Sequence, residues 1–156
     1  MIQNNRPRRN RTSAGIRKLV SETLLHPSKL VLPIFLEDGS GKKIEIPSLP
    51  GTYRYSLDTL IPFLSEALSS SIHSFILFPA VEERLKDSTG SYGIHPDNYY
   101  LKAVSRLKNE FPDAVFISDL ALDPYNIDGH DGIVRDGEIL NDETLEVLGK
   151  MAQVQA

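Results

Sequence analysis

Apolar residues along this chain follow two rhythms, short continuous runs and longer stretches in which they recur every three or four positions, and the two alternate. Residues 29–36, KLVLPIFL, form a run of the first kind and predict a strand buried on both faces, with Pro33 placing it near an edge or a bulge. Residues 38–41 break it, and Pro47, Pro50 and Gly51 hold the next connection open. Leu57, Leu60, Ile61, Leu64, Ala67 and Leu68 then keep helical spacing, which predicts a helix over Leu57–Ser69 with Ser56 as its N-cap. A second buried strand is expected at residues 74–78, SFILF, ended by Pro79. A long polar loop through Glu82, Lys86, Asp87 and Gly90 follows, of a length that marks a functional surface or disorder.

Residues 97–111 place Tyr100, Leu101, Val104 and Leu107 on one helical face and Lys102, Arg106 and Lys108 on the other, until Pro112 stops the helix. A third strand is expected at residues 114–118, then a hairpin turning at Asp136 and Gly137, then a helix capped by Asn141 with Leu145, Leu148 and Ala152 along one stripe. Strand, helix, strand, helix, strand with buried strands is the order of parallel βαβ units. The last helix meets no glycine, proline or basic turn before Ala156, and three parallel strands leave exposed edges. The pattern therefore reads as a piece of a larger barrel, cut within a helix.

The chemistry concentrates in residues 118–132, SDLALDPYNIDGHDG, where Asp119, Asp123, Asp128 and Asp131 accompany His130 just after the third strand. Strand carboxyl ends face the active site in parallel α/β proteins. Carboxylates this close need a cation, a positive substrate group or water to compensate them. On residue types alone, a solvated turn accounts for the segment equally well, since Asp and Gly are the commonest turn formers.

Composition narrows the setting. The chain has 156 residues, an ordinary apolar share of 40% and no cysteine, which excludes disulfides and sulfur-built zinc sites and suits a reducing cytoplasm. No apolar run is long enough for a signal peptide or a membrane span, so a soluble protein is expected, with no membrane partner. A formal net charge of -4 argues against nucleic acid as a partner. Arg6, Arg8, Arg9, Arg11, Arg17 and Lys18 nevertheless crowd one end, as a solvated tail or an arm that docks on another subunit. Residues 1–28 are read as an amino-terminal arm with a short helix, extended up to about Thr12, and residues 29–156 as the barrel portion.

The ordered set Asp119, Leu122, Pro124, Tyr125, Gly129, His130 and Gly132 resembles the metal loop of the porphobilinogen synthase family. The resemblance extends over essentially the whole chain. RPRRNRTSAGIRKLVSET is similar to the family's amino-terminal arm, KLVLPIF and IPSLPGTYRYSLD to its first barrel unit, and FILFPAV and HPDNYYLKAVSRLK to its second. It implies α/β architecture, about the first three βα units of a (β/α)8 TIM barrel, and an enzyme that condenses two 5-aminolaevulinate molecules to porphobilinogen with loss of water in haem biosynthesis. It implies a homo-oligomer, an octamer in the family, assembled through the arm.

Asp119 would then face a substrate amino group, with Asp123, Tyr125, His130 and Asp131 in the active-site loop. Zinc-dependent members carry cysteines where this chain has Ala121, Asp123 and Asp131. The resemblance is thus to the aspartate-rich branch, in which Asp123 and Asp131 would hold magnesium or a monovalent cation, and zinc is disfavoured. The family's two Schiff-base lysines have no counterpart here: Lys86, Lys102, Lys108 and Lys150 read as loop or solvated helix residues. An isolated chain of this kind is expected to be inactive. Two other readings stay open from the residues: an assembly module working through its basic arm, and a cation-binding βαβ unit without catalysis.

Overall fold

The structure, a computed structural model, describes residues 8–156. Of the arm expected from Met1 to about Thr12, the first seven residues lie outside the described residues. From Arg8 onward the chain makes a single helical turn at Arg9–Arg11 and a short helix α1 (Ala14–Leu19), capped by the Ser13 side chain, which accepts from the Ile16 N–H at 3.1 Å. Neither element buries a residue, and Leu19, Leu24 and Leu25 are 84%, 79% and 84% exposed.

Beyond the turn at Pro27–Lys29, the strands are β1 (Val31–Glu37), β2 (Lys43–Glu45), β3 (Tyr53–Tyr55), β4 (Ser74–Ala80) and β5 (Val115–Ser118), joined in the sheet order β2-β3-β1-β4-β5. β3, β1, β4 and β5 run parallel and β2 antiparallel. The short strands β2 and β3 flank the connection expected to be open, and three residues each are too few for alternation to show. They also change the setting of Pro33. β1 lies inside the sheet, not at its edge, yet β3 pairs with it only at Phe35 and Leu36, so the missing N–H of Pro33 faces an unpaired flank. Pro79 does not end β4; it pairs with Leu36 in a ladder running on to Ala80.

The helices are α2 (Leu57–Ser69), α3 (Tyr99–Glu110) and α4 (Asn141–Gln155). Leu60, Leu64 and Ala67 of α2 and Tyr100, Ala103 and Leu107 of α3 bury one sheet face, meeting Ile34, Leu36, Phe75 and Leu77 in the main core. Burying an aliphatic side chain there contributes on the order of 1.5–3 kcal/mol. The Ser56 hydroxyl does not cap α2; it bonds Asp58 and the Lys42 backbone instead. Alternation sends Val31, Pro33, Phe35, Ile76, Phe78, Val115 and Ile117 to the opposite face. No helix of the described residues covers it, and Val31 and Val115 remain 47% and 52% exposed.

The expected hairpin forms between β6 (Val134–Arg135) and β7 (Glu138–Ile139), with Asp136 and Gly137 at φ 52° and 79°, the left-handed values of a two-residue turn. In α4 the stripe differs from the expected one. Thr144 and Met151 are buried while Leu145 is 58% exposed, and Asn141 is the first helical residue rather than its cap. Within the described residues, no helix is long and apolar enough to cross a membrane.

Candidate functional site at the carboxyl edge

Because β1, β4 and β5 run parallel, Glu37, Ala80 and Ser118 end at one edge, and the long loop after β4 and the aspartate segment after β5 emerge side by side. The two are stitched by a single parallel bridge between Asp87 and Asn126. The Asp87 N–H donates to the Tyr125 carbonyl at 3.2 Å and the Ile127 N–H to the Asp87 carbonyl at 3.0 Å. Beneath them lies a second core of Leu122, Tyr125, Ile133 and Met151, flanked by Tyr92 and Leu148, so this edge has its own packed support.

The loop after β4 is therefore ordered, through short helical turns at Glu83–Leu85 and Ser91–Ile94. Asp87 holds it, accepting from the side chains and backbone N–H groups of Thr89 and Ser91. Burial raises its pKa, but these bonds outweigh burial and bring it to about 2. Gly90 has φ 65°, and a Cβ there would stand 2.4 Å from the Leu122 side chain, so both conformation and space require glycine.

Asn126 shapes the aspartate segment from inside. Fully buried, it donates to the carbonyls of His130 and Gly132 at 3.2 and 3.1 Å and accepts from the Asp128 N–H at 2.9 Å. His130 is exposed, with Nδ1 accepting from the Gly132 N–H at 2.8 Å. Tyr125 is buried in the second core, its hydroxyl 3.4 Å from the amide of Asn98.

Asp119 is half-buried directly after β5, whereas Asp123 and Asp131 are exposed. The carboxyl of Asp119 is pushed up from its usual range by burial and then by the charge of Asp131. That of Asp123 is pushed up by burial, by the charge of Asp131, by a side-chain hydrogen bond to Asp131 and by the charge of Asp119. The charge of Asp131 is thus felt at both Asp119 and Asp123. Among the described residues, no three His, Asp or Glu side chains converge to hold a metal ion directly.

Sequence reasoning missed Asn98, Asn126, Asp87 and the hydroxyl of Tyr100. Asn98 caps α3, its Oδ1 accepting from the Tyr100 N–H at 3.0 Å. Tyr100 carries the apolar face as expected, but its hydroxyl donates to the Leu77 carbonyl at 3.0 Å and accepts from the Asp119 N–H at 3.3 Å. The Asn98 cap was legible from its residue type just before a periodic stretch. The tyrosine contacts were not, since hydropathy spacing says nothing about where a hydroxyl points.

Residues 4–156 match the family model described as delta-aminolevulinic acid dehydratase. The chain is 45% identical over 97% of its length to the delta-aminolevulinic acid dehydratase of Chlamydia pneumoniae, covering 46% of that relative. It is 42% identical to that of Bacillus subtilis, again covering 46%. The crystal structure of delta-aminolevulinic acid dehydratase (porphobilinogen synthase) from Toxoplasma gondii ME49, in complex with the reaction product porphobilinogen, superposes with a TM-score of 0.90 at 41% identity. That match takes in 97% of this chain and 43% of that one. The chain spans under half the length of these relatives, and the α/β fold described above is accordingly a partial barrel. A family match from Asn4 to Ala156, carried by relatives more than 40% identical along nearly the whole chain, places it in the delta-aminolevulinic acid dehydratase family.

Proposed function

We propose that this chain supplies the arm and the aspartate-bearing edge of a porphobilinogen synthase, the lyase that condenses two 5-aminolaevulinate molecules to porphobilinogen with loss of water. The observation that carries the reading is the coupled set Asp119, Asp123 and Asp131 at the carboxyl edge of parallel strands, within a chain that matches the family throughout. Asp119 is the substrate-facing member. Its carboxylate is half-buried and raised by burial and a like charge, and the ammonium group of 5-aminolaevulinate would relieve both effects.

The covalent step, Schiff-base formation between a lysine amine and the substrate ketone, falls to lysines outside these 156 residues. The lysines in the neighbourhood are engaged elsewhere, Lys86 with Glu83 at 2.6 Å and Lys102 with Asp97 at 2.8 Å, while Lys108 lies at the far end of α3, bonded to the carbonyls of Pro112 and Ala114 that precede β5. The uncovered sheet face is the lumen of the barrel that the rest of the enzyme closes.

Asp123 and Asp131 offer hard oxygen donors without a third converging ligand, which suits a hydrated magnesium or a monovalent cation and does not suit zinc. Such an ion would neutralise the pair. The exposed arm, with Leu19, Leu24 and Leu25 in solvent, supports docking on a second copy in a homo-oligomer. The lack of cysteine supports a cytoplasmic setting. Asp119→Asn in the intact enzyme tests the reading: turnover of 5-aminolaevulinate should fall by about 100-fold or more. Unchanged turnover would remove Asp119 from the site.

A further inference from the structure

The ladder between β4 and β5 ends in a way its register does not require. The Val115 N–H donates to the His73 carbonyl at 2.9 Å, and on one strand of a parallel pair such rungs recur every second residue. The register, Phe75 with Phe116 and Leu77 with Ser118, carries that phase to a rung from the Asp119 N–H to the Leu77 carbonyl. Both groups instead meet the Tyr100 hydroxyl, 3.0 Å from the Leu77 oxygen and 3.3 Å from the Asp119 nitrogen. One phenol oxygen stands where a direct bond would close the ladder, and the strands part at the residue that opens the aspartate segment.

Tyr100 is firmly held. It is 0% exposed, in the first turn of α3, and its own N–H is bound by the buried Asn98 cap. From the other side the Gln155 amide of α4 donates to the Asp119 carbonyl at 3.3 Å. The Asp119 peptide is thus gripped between two helices while its side chain stays half open to solvent.

We propose that Tyr100 is a positioning residue, whose hydroxyl serves as the last rung of the β4–β5 ladder and sets where the Asp119 carboxylate stands relative to Asp131. The placement rests on geometry alone; its consequence for turnover rests on the reading of Asp119 as the substrate-facing group. With the phenol oxygen taking both groups, β5 pairs with β4 no further than Ser118, and the aspartate segment begins there. The phenol keeps its proton at any working pH, since burial, offset by the bond from the Asp119 backbone and reinforced by the Asp119 charge, pushes it up to about 12. It therefore donates and accepts at once.

The test uses the intact enzyme and Tyr100→Phe, with Tyr99→Phe as control, because the Tyr99 hydroxyl bonds the carbonyls of Leu36 and Ala80 and not Asp119. Amide hydrogen exchange should show Asp119 in the unmutated protein protected to within about tenfold of Ile117, and faster by about tenfold or more in Tyr100→Phe. With 5-aminolaevulinate, Tyr100→Phe should lower kcat several-fold, leave KM nearly unchanged and displace the acid limb of the pH–rate profile. Tyr99→Phe should change neither exchange at Asp119 nor that limb. An unprotected Asp119 amide in the unmutated protein would overturn the proposal even if the variant failed to fold. So would Tyr100→Phe with unaltered exchange and pH profile. An unmutated enzyme that did not turn over 5-aminolaevulinate would sink the substrate reading alone, and exchange would still decide the rung.

Discussion

Single carboxylates in this chain pull in opposite directions, and pH separates them. Asp58 and Asp87 have folded pKa values lowered to about 2, so the stability they contribute is present above the ordinary carboxylate range and is lost as pH falls from that range through about 2. For Asp58 the cause is the hydrogen bond from Ser56, then the Gly41 N–H, against burial, with Ser40 adding to it. Asp119 and Asp123 have raised pKa values, so their stabilising protonated state is present below the unfolded value of about 4 and is lost as pH rises through the folded one. Asp123→Asn removes part of that repulsion. Its denaturation midpoint should equal that of the unmutated protein in acid and exceed it near neutrality, read by urea titration at a series of pH values; a midpoint lowered near neutrality would show that the charge is already compensated. Gly90 fixes a different kind of limit. Gly90→Ala adds a left-handed alanine and a contact with Leu122, and should cost about 1–3 kcal/mol, measured by the same titration.

At the scale of elements, what the sequence discloses depends on length and on the kind of signal. β1, α2, β4, α3 and β5 are each visible because four or more apolar residues repeat one rhythm, and their ends fall within two residues of those expected. β2 and β3 are too short for a rhythm, and in α4 the expected stripe holds at Leu148 but not at Leu145, because the helix packs on the second core through Met151 and Leu148. The site is legible as residue types, Asp119, Asp123, His130 and Asp131 in one segment, but not as an arrangement. That arrangement depends on buried amides and hydroxyls whose partners are distant in sequence, such as Tyr100 with Leu77 and Asp119. Asn126 is the clearest local case. Asn126→Ala leaves the carbonyls of His130 and Gly132 without donors, and should destabilise the segment by about 1–3 kcal/mol while leaving β1, β4 and β5 intact. Limited proteolysis should then cut within residues 126–132 before it cuts the sheet; cleavage rates equal to the unmutated protein would show that the amide is dispensable.

For the whole molecule, the decisive feature is a sheet finished on one side. α2 and α3 bury Ile34, Leu36, Phe75 and Leu77, while Val31, Ile117 and Val115 on the other face remain 47%, 39% and 52% exposed. A parallel sheet with one bare apolar face is not a self-sufficient design, since parallel strands are ordinarily covered on both faces. The carboxyl edge has the same one-sided character: it carries Asp119 and Asp123, both raised by the charge of Asp131, and the lysines nearby, Lys86 and Lys102, are paired to Glu83 and Asp97. Carboxylates can hold an ammonium group and stabilise positive charge, but they cannot form the carbon–nitrogen double bond that the proposed condensation needs. Borohydride, which reduces such a bond to a stable amine, discriminates the two. The 156-residue chain treated with 5-aminolaevulinate and borohydride should gain no mass, whereas a full-length relative under the same conditions should gain one substrate residue on a lysine. A stoichiometric adduct on Lys86, Lys102, Lys108 or Lys150 of this chain would show that the edge described here already contains a nucleophile, and that the division of labour proposed for the barrel is wrong.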